Sequence, residues 1–80
     1  MEKEFFEFPV IDMEQTGKRI QELCELNQVD IQKLADYFSI SKQTIKYWFS
    51  GRNIPSFEHL KALSLIFNLS VEDIIVLKKE

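Results

Sequence analysis

The residues of this chain best suited to chemistry with a partner lie in one stretch, Ser41-Lys-Gln-Thr-Ile-Lys-Tyr-Trp-Phe-Ser-Gly51, followed by Arg52 and Asn53. No Asp or Glu occurs between Asp36 and Glu58, whereas Lys42, Lys46 and Arg52 all fall there. The formal net charge of −3 argues only weakly against a polyanionic partner, because a protein neutralises phosphates with a local patch and not with its average. The position of charge outranks its sum. Amides exposed at a helix start attract phosphate, Gln pairs in bidentate fashion with adenine, and Lys donates to guanine acceptors.

Each of these features also has a plainer explanation. Lys42 and Lys46 lie one helical turn apart, and such pairs are most often a solvated face. Trp48 shares the apolar phase of Ile45, which makes it a packing residue before it is a platform for bases. Tyr47 sits off that phase, so a groove contact and a simple exposed aromatic are both open. His59 is the sole histidine and Cys24 the sole cysteine, which leaves no spacing for a metal site; His59 is expected at the surface or at a helix cap. Gly17 and Gly51 are the only glycines, so a P-loop or dinucleotide fingerprint is excluded, and no Ser/His/acid spacing suggests a nucleophile. The expectation is a protein that is not an enzyme and takes no cofactor, metal or small-molecule substrate.

The elements that must position these side chains are helices. Ile20, Leu23 and Cys24 fall at i, i+3, i+4, and Ile31, Leu34, Ala35 and Phe38 follow the same rule, so two amphipathic helices are separated near Asn27 to Asp30. Asp30 is placed to cap the second. The Ser39-Ile40-Ser41 step interrupts that helix, and Ser41 can cap a third, which buries Ile45, Trp48 and Phe49 and ends at Gly51. Pro55-Ser56 reads as the start of a fourth, with Phe57, Leu60, Leu63, Ser64 and Phe67 on its inner stripe. Ser70-x-x-Asp73 resembles a capping box opening a short fifth helix that contains Ile74, Ile75 and Leu77.

These signals predict an all-α fold, a compact five-helix bundle in which two helices joined by a few residues cross as a helix-turn-helix. A short extended arm precedes it, where Glu4 to Met13 interleaves Phe5, Phe6, Phe8, Val10 and Ile11 with acids and Pro9. The division expected is an acidic, Phe-rich arm over residues 1–15, the helical domain over 16–77 and a tail over 78–80. A chain of 80 residues with 45% hydrophobic content has room for one core, and it should fold alone but marginally. A lone cysteine permits no internal disulfide, which fits a reduced cytoplasmic compartment. No apolar run approaches the roughly 18 residues that a spanning helix needs, and Met1-Glu-Lys-Glu has the wrong charge for a secretory signal. No membrane is expected as a partner.

Gly17-Lys-Arg-Ile20, Leu34-Ala35, Ser41-Lys-Gln-Thr-Ile45, Trp48, Gly51, Pro55 and Leu60 together resemble the helix-turn-helix domain of the lambda repressor and Cro (XRE) class, over about residues 16 to 76. The resemblance implies that the third helix lies in the major groove of double-stranded DNA and that dimers read two half-sites about one helical turn apart. By position it assigns Lys42, Gln43 and Tyr47 to base edges and Ser41 to a cap lying against the backbone. Lys46, Arg52, Asn53 and Ser56 become candidates for phosphate.

Three departures from the family pattern stand out. Ile31 occupies a first-turn place where the family commonly has a phosphate-contacting Gln, so one anchoring contact is missing. Cys24 and Phe49 replace a frequent Arg–Glu pair. Losing both together is physically sensible, since stranding one buried charge costs about 3 to 5 kcal/mol whereas an apolar pair is close to neutral; the two are expected to meet in the core. Ser39 stands where Gly is frequent, which predicts either a turn without positive φ or a mildly strained one.

A helix apolar on all sides at Ile74-Ile-Val-Leu77, together with the phenylalanines of the arm, predicts a homodimer through Phe5, Phe6, Phe8, Ile75 and Leu77. The leading expectation is a sequence-specific DNA-binding transcriptional regulator such as a small repressor. The alternative is a protein-interaction module on the same fold, antitoxin-like or partner-docking, with weak or no DNA binding, in which Ile31, Tyr47 and the acidic arm dock another protein.

Overall fold

The computed structural model describes residues 8–79. Its helices are α1 (Met13–Leu26), α2 (Ile31–Phe38), α3 (Lys42–Ser50), α4 (Phe57–Phe67) and α5 (Val71–Ile74). Every one begins with a short polar side chain that accepts from an amide three residues on: Asp12 from Gln15, Asp30 from Lys33, Ser41 from Thr44, Ser56 from His59 and Ser70 from Asp73. Each thereby satisfies one of the donors a helix start leaves without a partner. Asp73 completes the capping box expected at Ser70 by accepting from the Ser70 amide. The first helix starts at Met13, earlier than its apolar spacing indicates, because Asp12 is itself the cap.

Ile20, Leu23, Cys24, Leu34, Ala35, Ile45, Trp48, Leu60, Leu63, Phe67 and Ile74 form one core. Cys24 is buried, and Phe49 packs half-buried against the same cluster, so neither apolar replacement lies mainly in solvent. Burial pushes the Cys24 thiol up to about 11, with Glu25 adding to the rise, and the thiol stays protonated at neutral pH. Around Trp48 the packing is aromatic: Phe38 lies edge-on at 5.9 Å and His59 at 5.5 Å, with 4.8 Å between Phe38 and His59. His59 is therefore half-buried against two rings, not at the open surface or a helix cap, an environment its isolated position in the sequence does not reveal.

The closest seam runs between α1 and α3. A Cβ placed on Gly17 would stand 2.1 Å from the Trp48 carbonyl oxygen and 2.6 Å from that of Phe49, so only glycine lets the two backbones approach this far. Gly51 ends α3 in the left-handed region at φ 83°, again hard against α1 at Glu14. Ser39 takes φ 57° in the turn between α2 and α3, which makes the strained alternative the correct one at that position.

Two expectations need correction. The last helix ends at Ile74, so Ile75 and Leu77 lie outside it. Ile75 is already extended, with φ −78° and ψ 133°, and Ile11 pairs antiparallel with Leu77. The Asp12 amide donates to the Val76 carbonyl at 2.8 Å and the Lys78 amide to the Val10 carbonyl at 2.8 Å. Thr16, fully buried, holds this ribbon from beneath: its hydroxyl accepts from the Val76 amide at 2.9 Å and lies 3.3 Å from the Val76 carbonyl, to which it donates. Strand-like pairing across more than sixty residues leaves no helical period to read, and the Ser70–Asp73 capping box marks where a helix begins without fixing how far it runs into Ile74-Ile-Val-Leu77. Phe57, placed on the inner stripe of its helix by spacing, is 70% exposed, because the first residue of α4 projects beyond the core edge.

Candidate nucleic-acid interface

The candidate surface is built on α3 and on the turn that follows it. Ile45 and Trp48 are buried and Phe49 packs against the core beside them, which turns the opposite side of α3 outward, and Ser41, Lys42, Gln43 and Lys46 are all exposed. The Ser41 hydroxyl accepts from the Thr44 amide at 3.1 Å and stands 3.0 Å from the Thr44 hydroxyl. That leaves the amides of Lys42 and Gln43, which have no partner inside the helix, pointing off its positive end. Two ammonium groups, a carboxamide and an open helix start thus lie together on a stretch whose sequence holds no acidic residue between Asp36 and Glu58.

At the other end of α3 the chain folds back. The amides of Arg52 and Asn53 both donate to the Tyr47 carbonyl, at 2.9 and 3.3 Å, and the Ser50 hydroxyl donates to the same oxygen at 3.2 Å. This tight reversal, permitted by Gly51, lays the Arg52 guanidinium over the Tyr47 ring, 4.7 Å from its centroid. Tyr47 is half-buried, while Arg52 and Asn53 are exposed. Ser56 is exposed too, although its hydroxyl is occupied in accepting from the His59 amide at 3.3 Å.

The structure therefore gathers Lys42, Gln43 and Lys46 on one helix with Ser41 as its cap, Arg52 and Asn53 in the turn just beyond and Ser56 at the head of α4. The coupling of Tyr47 to Arg52 escapes sequence reasoning. The two lie five apart across a helix end, a separation at which helical neighbour rules say nothing. Ile31, at the first turn of α2, is half-buried against the core and presents no side-chain donor. In the expected pairing surface, Phe8 is 87% exposed and Leu77 50% exposed, Ile75 is half-buried, and Phe5 and Phe6 lie outside the described residues. Among the described residues no group of His, Cys, Asp and Glu is arranged to hold a metal ion, and no helix is long and apolar enough to cross a membrane.

A fold of short capped helices, with a tight α2–α3 step and an outward polar α3, defines the helix-turn-helix class. A family model described as helix-turn-helix matches residues 16–74, and the chain belongs to this family, of the lambda repressor and Cro type. It is also similar to the HTH-type transcriptional activator BcrR of Enterococcus faecalis, with 26% identity over 59 residues, or 74% of this chain. The matched stretch is 29% of that relative's length.

Proposed function

We propose that this chain is a sequence-specific DNA-binding transcriptional regulator that inserts α3 into the major groove as one half of a homodimer. The observation that carries this reading is the exposed, acid-free start of α3, backed by a buried Ile45 and Trp48 that fix its aim. Lys42 and Gln43 then face base edges, with Tyr47 beside them. Ser41, Lys46, Arg52, Asn53 and Ser56 meet phosphates and set the register. The relative's name, a transcriptional activator, supports regulation as the outcome. In this reading residues 16–77 bind DNA, and pairing of two copies through the surface around Phe8, Ile75 and Leu77 supplies the twofold symmetry, with the two copies of α3 about 34 Å apart.

Selection from random duplex DNA at two salt concentrations tests the proposal. A symmetric enriched site is expected, with affinity falling by about 10³ or more between roughly 50 and 200 mM salt for 6 to 10 phosphate contacts. Replacing Lys46 by Ala should weaken binding to all sequences alike. Gln43→Ala should cost about 1 to 3 kcal/mol and relax preference at one base pair. Equal, sequence-blind losses from both would overturn base reading by Gln43, and sedimentation as a monomer at high micromolar concentration would overturn the homodimer. Ile31 favours a second reading, a protein-docking module, for which duplex binding would be poor at every salt concentration.

A further inference from the structure

We propose that Tyr47 acts through Arg52: its ring is the platform that holds the guanidinium at the rim of α3, aimed at a phosphate of the bound duplex. This inference rests on the DNA-binding reading above and assigns Tyr47 a positioning role within it.

The geometry comes from the backbone outward. Gly51 adopts φ 83°, a conformation a side-chain-bearing residue enters with strain, and a Cβ there would stand 2.7 Å from the Glu14 Cα. The turn is thereby fixed against α1. The next two amides, of Arg52 and Asn53, are both spent on the Tyr47 carbonyl, so the Arg52 backbone is tied to the residue whose ring its side chain covers. The guanidinium carbon lies 4.7 Å from the ring centroid, within the range of a cation–π contact. An exposed Arg otherwise explores many rotamers, and ordering it on binding costs conformational entropy. A guanidinium held over a ring through its central carbon still has N–H donors at its rim for the forked contact that phosphate oxygens accept. The ring face toward Arg52 is occupied, so that face is closed to a base.

The assignment makes predictions that a base-reading Tyr47 would not share. Binding to a pool of random-sequence 30-bp duplex is measured as a function of NaCl for the full chain and its Arg52→Ala, Tyr47→Leu, Tyr47→Phe and double Tyr47→Leu/Arg52→Ala variants. Arg52→Ala should lower the slope of log affinity against log salt by about one. Tyr47→Leu should weaken binding roughly two- to fivefold, the scale of an exposed cation–π contact, and flatten the slope in the same direction. Tyr47→Phe should match the parent, and the double variant should be no weaker than Arg52→Ala alone. If the two losses multiply, or if Tyr47→Phe loses as much as Tyr47→Leu, the platform role is overturned in favour of a contact by the tyrosine hydroxyl.

Arg52→Lys leaves the ring in place and checks the same point should Tyr47→Leu fail to fold. A compact ammonium on a flexible stem cannot stack as a plane, so affinity should fall severalfold; affinity equal to the parent overturns the role. A readout without DNA separates this proposal from its parent. Ring-current shifts of the Arg52 side-chain protons should be present in the free protein, kept in Tyr47→Phe and lost in Tyr47→Leu. Their absence in the parent overturns the platform alone. Shifts present in a protein whose parent form binds no duplex at low salt overturn the DNA-binding reading and the platform's role with it.

Discussion

The α2–α3 segment and the terminal ribbon are both held by a handful of hydrogen bonds, yet they are built on opposite principles. In the first, partners sit three to five residues apart: Asp30 with Lys33, Ser41 with Thr44, Tyr47 with Arg52. In the second they are drawn from the two ends of the described chain, Val10 with Lys78, Asp12 with Val76 and Thr16 with Val76. Local bonds are specified by short patterns and form cheaply; distant ones must first overcome loop-closure entropy and therefore depend on the rest of the fold being in place. Adjacent residues of α1 serve the two regions separately. Gly17 lies against the backbone of α3, and Thr16 beneath the ribbon.

That division can be broken hardest at Gly17. Adding a single methyl group there in Gly17→Ala drives it into two carbonyl oxygens of α3, which neither partner can vacate without shifting a helix. The expected loss is about 3 kcal/mol or more, large beside the roughly 5 kcal/mol that a domain of this size commands. Urea unfolding should show both regions lost together. A variant as stable as the parent would mean that the α1–α3 seam is looser than described.

Thr16→Val should affect the ribbon and spare the helix-turn-helix. It keeps the volume but strands the Val76 amide, at a cost of about 1 to 3 kcal/mol. Amide exchange at Asp12 and Lys78 should accelerate far more than exchange in α3. Uniform acceleration across both regions would erase the distinction between them.

Ser41→Ala is the mirror experiment. Loss of the cap should cost about 1 kcal/mol, fray the start of α3 and weaken duplex binding, while the ribbon amides keep their protection relative to global unfolding. The smallest effect has the opposite sign. Ser39→Gly relieves a non-glycine residue held at φ 57° and should stabilise the domain by about 0.5 to 1 kcal/mol, net of the added freedom of the unfolded chain. A lower thermal midpoint for Ser39→Gly would show that the serine contributes something its geometry does not display.

The same contrast explains what the sequence discloses. Asp30, Ser41, Gly51, Ser56 and the Ser70–Asp73 pair mark helix boundaries because capping is a matter of three or four residues, and the buried positions Ile20, Leu34, Ile45, Leu60 and Leu63 follow from a repeating period. Phe57 misleads because a stripe drawn from spacing assumes that the helix and its core extend equally far, and Ile75 because a cap fixes where a helix begins and not where it ends. The exposed start of α3 is legible for the same reason as its caps. The packing of His59 against Phe38 and Trp48, and of Arg52 over Tyr47, depends on where separate elements come to rest. No short pattern encodes either.

The 2.8 Å bond between the Val10 carbonyl and the Lys78 amide also brings the two chain directions out of the domain through one doorway. Within the described residues the chain path is therefore close to a closed ring. A few Gly and Ser residues joining Lys78 to Val10 would close the ring, since a short flexible bridge adds little closure entropy, and it could then be opened at the exposed Asn27–Gln28 turn at the expense only of the bonds that the Gln28 and Val29 amides donate to the end of α1. Such a permuted chain should still place α3 on its surface, and in the parent whatever precedes Val10 and follows Lys78 leaves the bundle from a single anchorage instead of two.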